Sequence, residues 1–109
     1  MLGGLLVLAL SLQDTKPDCH ARTAAWATNS DYPAEARRKA MQGDVEFELQ
    51  VSEKGCGISC AVTKSSGWPL LDEETCRLMV ERARFNPARD KDGKPIPATW
   101  KSAFHWQLP

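Results

Sequence analysis

The sequence predicts an α+β domain with the element order helix, strand, strand, helix, strand. Three observations carry that reading. Val45, Phe47, Leu49 and Val51 alternate with Glu46, Glu48 and Gln50, the period of a strand with one buried face. Cys76, Met79, Val80 and Ala83 fall at the i, i+3, i+4, i+7 spacing of a helix with one buried stripe. Near the end of the chain, Trp100, Phe104, Trp106 and Leu108 share one face of a further strand. At 109 residues there is room for one ordinary domain.

The elements follow in order. Residues 1–13 read as a signal peptide. Met1 to Leu12 is apolar over about eleven residues, too short for a spanning helix, which needs ~20. No Lys or Arg precedes the run and no Ala-x-Ala site follows it, so cleavage is expected between Ser11 and Thr15. The other reading is the tail of a longer hydrophobic segment that starts upstream. Lys16-Pro17-Asp18 before Cys19 does not suit a lipoprotein. Residues 14–30 form a polar arm whose one large apolar group, Trp26, is expected to dock on the core. The folded domain is expected over 31–109.

Pro33 suits a first helical turn, where its missing N–H costs nothing. The first helix is expected over Pro33 to Met41, with Ala36, Ala40 and Met41 facing inward and Gly43 as its C-cap. The first strand covers Asp44 to Ser52. After the Glu53-Lys54-Gly55 turn, Gly57 to Lys64 returns as the antiparallel partner, with Ile58, Cys60 and Val62 inward. Asp72 is expected to cap the second helix, with Leu71 and Cys76 as its hydrophobic staple and Asn86-Pro87 as its stop. Asp90 to Pro95 is a polar turn. The last strand spans Ala98 to Leu108, with Lys101, Ala103, His105 and Gln107 opposite the aromatic face.

Charge and composition exclude several functions. Fourteen basic and fourteen acidic residues cancel, so neither nucleic acid nor an anionic membrane surface is an expected partner. Four cysteines in an exported chain read as two disulfides. Cys56 and Cys60 are ~13 Å apart along a strand, beyond disulfide reach. Cys60 lies on the inner strand face and Cys76 on the helix expected to cover it, which favours Cys60–Cys76. Closing that loop contributes ~3 kcal/mol in the chain-entropy model. Cys19–Cys56 then ties down the arm. His20 and His105 lack ligand-like spacing, Ser65-Ser66 lacks a nucleophile elbow, and Glu46 and Glu48 sit on the solvated face. No catalytic residue, metal, cofactor or small-molecule substrate is expected. A terminal strand at a sheet edge, by contrast, offers unpaired backbone groups to an extended peptide.

Tyr32-Pro33-x-x-Ala36, Gly43-x-Val45, Gly55, Val62-x-x-Ser65-Ser66-Gly67 and Leu71-Asp72 form an ordered series. It continues through Arg84-Phe85-x-Pro87-Ala88, Asp92-Gly93-x-Pro95 and Trp106-x-Leu108-Pro109. Together these resemble the C-terminal domain of TonB energy transducers. Cys60 and Thr75-Cys76 resemble a cysteine-bearing subgroup of that family. The resemblance implies a three-stranded antiparallel sheet with two helices packed on one face. It also implies a periplasmic setting in a Gram-negative bacterium, inner-membrane-associated if the N-terminus is truncated. By the same resemblance the partner is the TonB box of an outer-membrane transporter, added as a strand beside the last strand, where Thr99, Lys101, Ala103, His105 and Gln107 would flank it. These 109 residues contain no long anchor and no Pro-rich spacer, so force transmission by this chain alone is not expected. The alternative is a free-standing periplasmic adaptor for another envelope protein or peptidoglycan. A redox or metal role for the cysteines is a third.

Overall fold

The computed structural model describes Cys19 and residues 27–109. The expectations for the signal peptide, most of the arm, His20 and Trp26 lie outside the described residues. The elements are α1 (Ala34–Arg38), β1 (Gly43–Val51), β2 (Gly57–Lys64), α2 (Pro69–Arg82), β3 (Ala88–Arg89), β4 (Pro95–Ile96) and β5 (Ala98–Trp106). β1, β2 and β5 form an antiparallel sheet in the order β2-β1-β5. β3 and β4 form a short hairpin around the polar Asp90 turn, where Asp90 Oδ1 accepts from the N–H groups of Asp92 and Lys94.

The alternation in β1 decides the layering. Val45, Phe47, Leu49 and Val51 are buried and share a core with Ala36, Leu71, Leu78, Met79 and Trp106. Both helices therefore cover the same sheet face. Register carries the pattern to β5, where Phe104 opposes Val45 and Trp100 opposes Leu49.

Several local expectations change. The first helix is one turn long and ends at Arg38, and the left-handed residue after it is Ala40 (φ 52°), not Gly43. Ala40 is exposed, whereas Ala36 and Met41 are buried. Gly43 instead opens β1, where a Cβ would stand 2.8 Å from the Ser66 carbonyl oxygen. The second helix begins three residues before Asp72, with Pro69 in its first turn, and ends at Arg82 rather than at Asn86-Pro87. Asp72 secures the preceding loop: its carboxylate accepts from the Ser65 hydroxyl and from the Ser66 N–H (2.9 Å) and hydroxyl (2.8 Å). Burial pushes the Asp72 carboxyl upward, but these bonds outweigh it and hold the carboxyl below its ordinary range.

The buried residues of α2 are Leu71, Thr75, Leu78 and Met79; of the expected stripe, Met79 and Ala83 are buried, whereas Cys76 and Val80 are half-buried. Thr75 faces inward, where it has a partner on β5. Thr75 Oγ1 accepts from the Trp106 indole N–H (2.8 Å) and donates to the Leu71 carbonyl (2.8 Å). A fully buried hydroxyl and a buried indole thereby satisfy each other. On β2, Ile58 and Val62 are exposed rather than inward-packed. The last strand ends two residues early, and the Leu108 N–H donates to Gln42 Oε1.

The two ends of α2 are held differently. At its C-terminal end Arg82 meets Asp31 at 2.7 Å. The Arg82 guanidinium, with a second bond from the Thr28 N–H, holds the Asp31 carboxyl at about 2. Its folded value lies below its ordinary 3.8, so the pair stabilises the fold above about pH 4. That contribution drains away as pH falls toward 2. Acid titration of the melting temperature should show this loss between about pH 4 and pH 2, and Asp31→Asn should remove that component of the slope. Thr75→Val leaves the Trp106 N–H buried without an acceptor. It should cost roughly 1–3 kcal/mol in a urea melt; a neutral result would mean the indole has another partner.

Candidate peptide-docking edge

β5 lies at one margin of the sheet. It pairs with β1 in unbroken register from Gly43↔Trp106 to Val51↔Ala98, and no described strand pairs with its other side. A margin of this kind presents backbone N–H and C=O groups that can accept an extended chain.

Two layers stiffen this margin. On the inner face, Trp100 stands edge-on to Phe47 (ring centroids 5.7 Å) and Phe85 (4.9 Å), while Trp106 stands edge-on to Tyr32 (5.1 Å). The Tyr32 hydroxyl donates to the Met41 carbonyl, and burial pushes its pKa up. On the outer face, register puts Thr99, Lys101, Ala103 and His105 opposite Gln50, Glu48, Glu46 and Asp44. Thr99 bonds Gln50 at 2.9 Å, His105 Nδ1 lies 2.8 Å from Asp44, and Lys101 reaches Glu48 at 4.0 Å. All four are exposed, as is Gln107 beyond the strand. Four of the five residues singled out in the sequence thus form one row along the outer side of β5, and Gln107 lies just past its end.

Sequence reasoning missed the other wall. Ala27 and Thr28 lie beside the Phe104–Gln107 end of β5, and with Tyr32 they enclose a shallow cleft of about 150 Å³. No local pattern could have shown it, because its walls come from segments more than seventy residues apart. His105 borders the cleft and Asp44 holds its ring. Among the described residues no group of three His, Cys, Asp or Glu side chains could hold a metal ion. Ser65 and Ser66 are committed to Asp72.

Both disulfides brace the fold away from the β5 edge. Cys60–Cys76 joins β2 to α2, with Cα atoms 5.4 Å apart. Cys19–Cys56, with Cα atoms 4.9 Å apart, brings Cys19 to the β1–β2 turn. There the Cys19 N–H donates to the Lys54 carbonyl, and the Phe85 N–H donates to the carbonyls of Gly55 and Cys19. Gly55 (φ 82°) is required at this junction, since a Cβ would stand 2.0 Å from the Phe85 oxygen.

A family model for the Gram-negative bacterial TonB protein C-terminal domain matches residues 28–108. The chain belongs to this family. The TonB C-terminal match covers the sheet, both helices and the β5 margin together. The family is a non-enzymatic, protein-interacting one of the Gram-negative envelope, linked to transport. Comparison with curated proteins and with solved structures gave no match. Among the described residues no helix is long and apolar enough to cross a membrane.

The disulfides differ in access: Cys19 and Cys56 are buried, whereas Cys60 and Cys76 are half-buried. Under graded dithiol, alkylation and mass spectrometry should find Cys60 and Cys76 opened first. A Cys60→Ala/Cys76→Ala double variant should lose about 3 kcal/mol in a denaturant melt and keep the Cys19–Cys56 bond.

Proposed function

We propose that this TonB C-terminal domain receives an extended peptide, of the kind that outer-membrane transporters present as a TonB box, as an added strand on β5. One observation carries the reading: β5 is a nine-residue edge strand whose far side is open among the described residues. Three further features support it. The aromatic cluster behind Trp100 and Trp106 holds the edge in shape, so little ordering cost falls on the domain when a peptide binds. The row Thr99, Lys101, Ala103, His105 and Gln107 flanks an incoming strand on the solvent side. The cleft beside Thr28 has room for a side chain at the Phe104–Gln107 end.

In this mode, main-chain hydrogen bonds supply most of the affinity and side chains set register. The domain needs no catalytic group and carries out no bond chemistry. It acts as a receptor for a strand.

NMR titration of the oxidised chain with a TonB-box peptide is the direct test. The amides of residues 98–106 and the Trp106 indole should shift. A peptide N-methylated at two alternate positions should bind roughly tenfold or more weakly, since two backbone bonds are lost. Absence of β5 shifts at millimolar peptide would falsify the reading. Shifts confined to other surfaces would favour an adaptor for a different envelope partner.

A further inference from the structure

Thr75 and Cys76 are consecutive on α2 and reach opposite margins of the sheet. The Thr75 hydroxyl accepts the Trp106 indole N–H of β5, and Cys76 is joined to Cys60 of β2. The C-terminal half of α2 is pinned several times over. Gly57 of β2 approaches it so closely that a Cβ would stand 2.9 Å from the Met79 carbonyl oxygen. Arg82 meets Asp31, Arg84 forms a bridge with Cys56, and the Phe85 N–H donates to the carbonyls of Gly55 and Cys19. The buried Cys19–Cys56 bond fastens that junction. The N-terminal half rests on Leu71 and the Asp72 loop, and is held sideways at Thr75 and Cys76. Its disulfide is also the accessible one. Cys60 stands midway along an edge strand between the exposed Ser59 and Ala61, and both Cys60 and Cys76 are half-buried.

We propose that the Cys60–Cys76 bond is a redox switch that sets the peptide affinity of the β5 edge, a proposal that rests on strand addition at β5. The reductant is a dithiol protein of the thiol–disulfide oxidoreductase class. One of its thiolates attacks a sulfur of the Cys60–Cys76 bond, forming a mixed disulfide and releasing the other sulfur as a thiolate, which takes up a proton. Its second thiol then loses a proton and displaces the remaining sulfur, which is protonated in turn. Two electrons pass to this chain, and the reductant leaves as a disulfide. A disulfide holds its sulfurs at bonding distance, whereas two thiols stand apart at non-bonded distance. Helix and strand therefore have to part at Cys60 and Cys76. Gly57, Arg82 and Phe85 hold the C-terminal half of α2, so the movement falls on the N-terminal half. Thr75 moves with Cys76, and the buried Trp106 indole loses its acceptor. Trp106 is the last residue of β5, so that end of the edge loses its backing. An incoming peptide then has to order part of the edge as it binds, and its affinity falls. Reoxidation restores the tie, and the buried Cys19–Cys56 bond keeps the domain folded in both states.

The test compares the oxidised chain with the same chain in a dithiol buffer poised to open only Cys60–Cys76, verified by alkylation and mass spectrometry. Without peptide, the Trp106 indole proton resonance should shift on opening. A TonB-box peptide should bind the opened chain roughly threefold to tenfold more weakly, the contribution of one hydrogen bond. Reoxidation should reverse both changes. Thr75→Val should bind as weakly when oxidised and lose nothing further on reduction. Thr75→Ser keeps the hydroxyl and should respond as the parent chain does. An unshifted indole, or equal affinity in the two states, would overturn the proposal. So would a general collapse of amide dispersion on opening, which marks the bond as a staple alone. An undiminished response to reduction in Thr75→Val would overturn it too, because the effect would then bypass Trp106. Failure of the oxidised chain to bind any peptide counts instead against strand addition at β5, and the indole response alone then decides whether the disulfide acts on the edge.

Discussion

The fold depends on one helix being fastened to both margins of the sheet through two consecutive residues. Thr75 reaches β5 through the Trp106 indole, and Cys76 reaches β2 through Cys60. Neighbouring residues on a helix point about 100° apart, so one turn can serve two strands on either side of a central one. A three-stranded sheet with a single covered face has little core to spare at this chain length. Fixing its main helix at both margins removes the freedom that a small core alone would leave. The covalent bond limits the unfolded chain, and the hydrogen bond selects the helix rotation.

The rest of the structure extends from that fastening. Rotation toward Thr75 puts Leu71, Leu78 and Met79 onto β1 and leaves Cys76 at the flank, where Cys60 can reach it. Asp72 then holds the loop entering the helix, and Arg82 at the far end meets Asp31. Cys19 is drawn against Gly55 and Phe85, and Phe85 stacks edge-on against Trp100. Phe85 beyond the helix and Thr75 within it therefore both reach the inner side of β5. The margin proposed to receive a peptide has an aromatic cluster behind it.

The two margins suit different uses. β5 carries a polar outer row with Lys101 and His105 and an aromatic backing. β2 is neutral through its middle and exposes apolar side chains next to a disulfide.

Much of the layering was legible in the sequence because it follows from period alone. Alternation in β1 selected the buried face, the Trp100-to-Trp106 pattern selected the inner side of β5, and Cys60 and Cys76 stood on faces that had to meet. The sequence by itself determined the element order, the α+β class and which residues of β1 and β5 go inside, since these depend on local repeat and polarity. Only the tertiary structure decided the rotation of the second helix, the fate of Ile58 and Val62 and the cleft beside Thr28. Helical spacing permits the stripe through Cys76 and the stripe through Thr75 equally well. The choice was made by a buried indole N–H that needed an acceptor, and that partner lies 31 residues away along the chain.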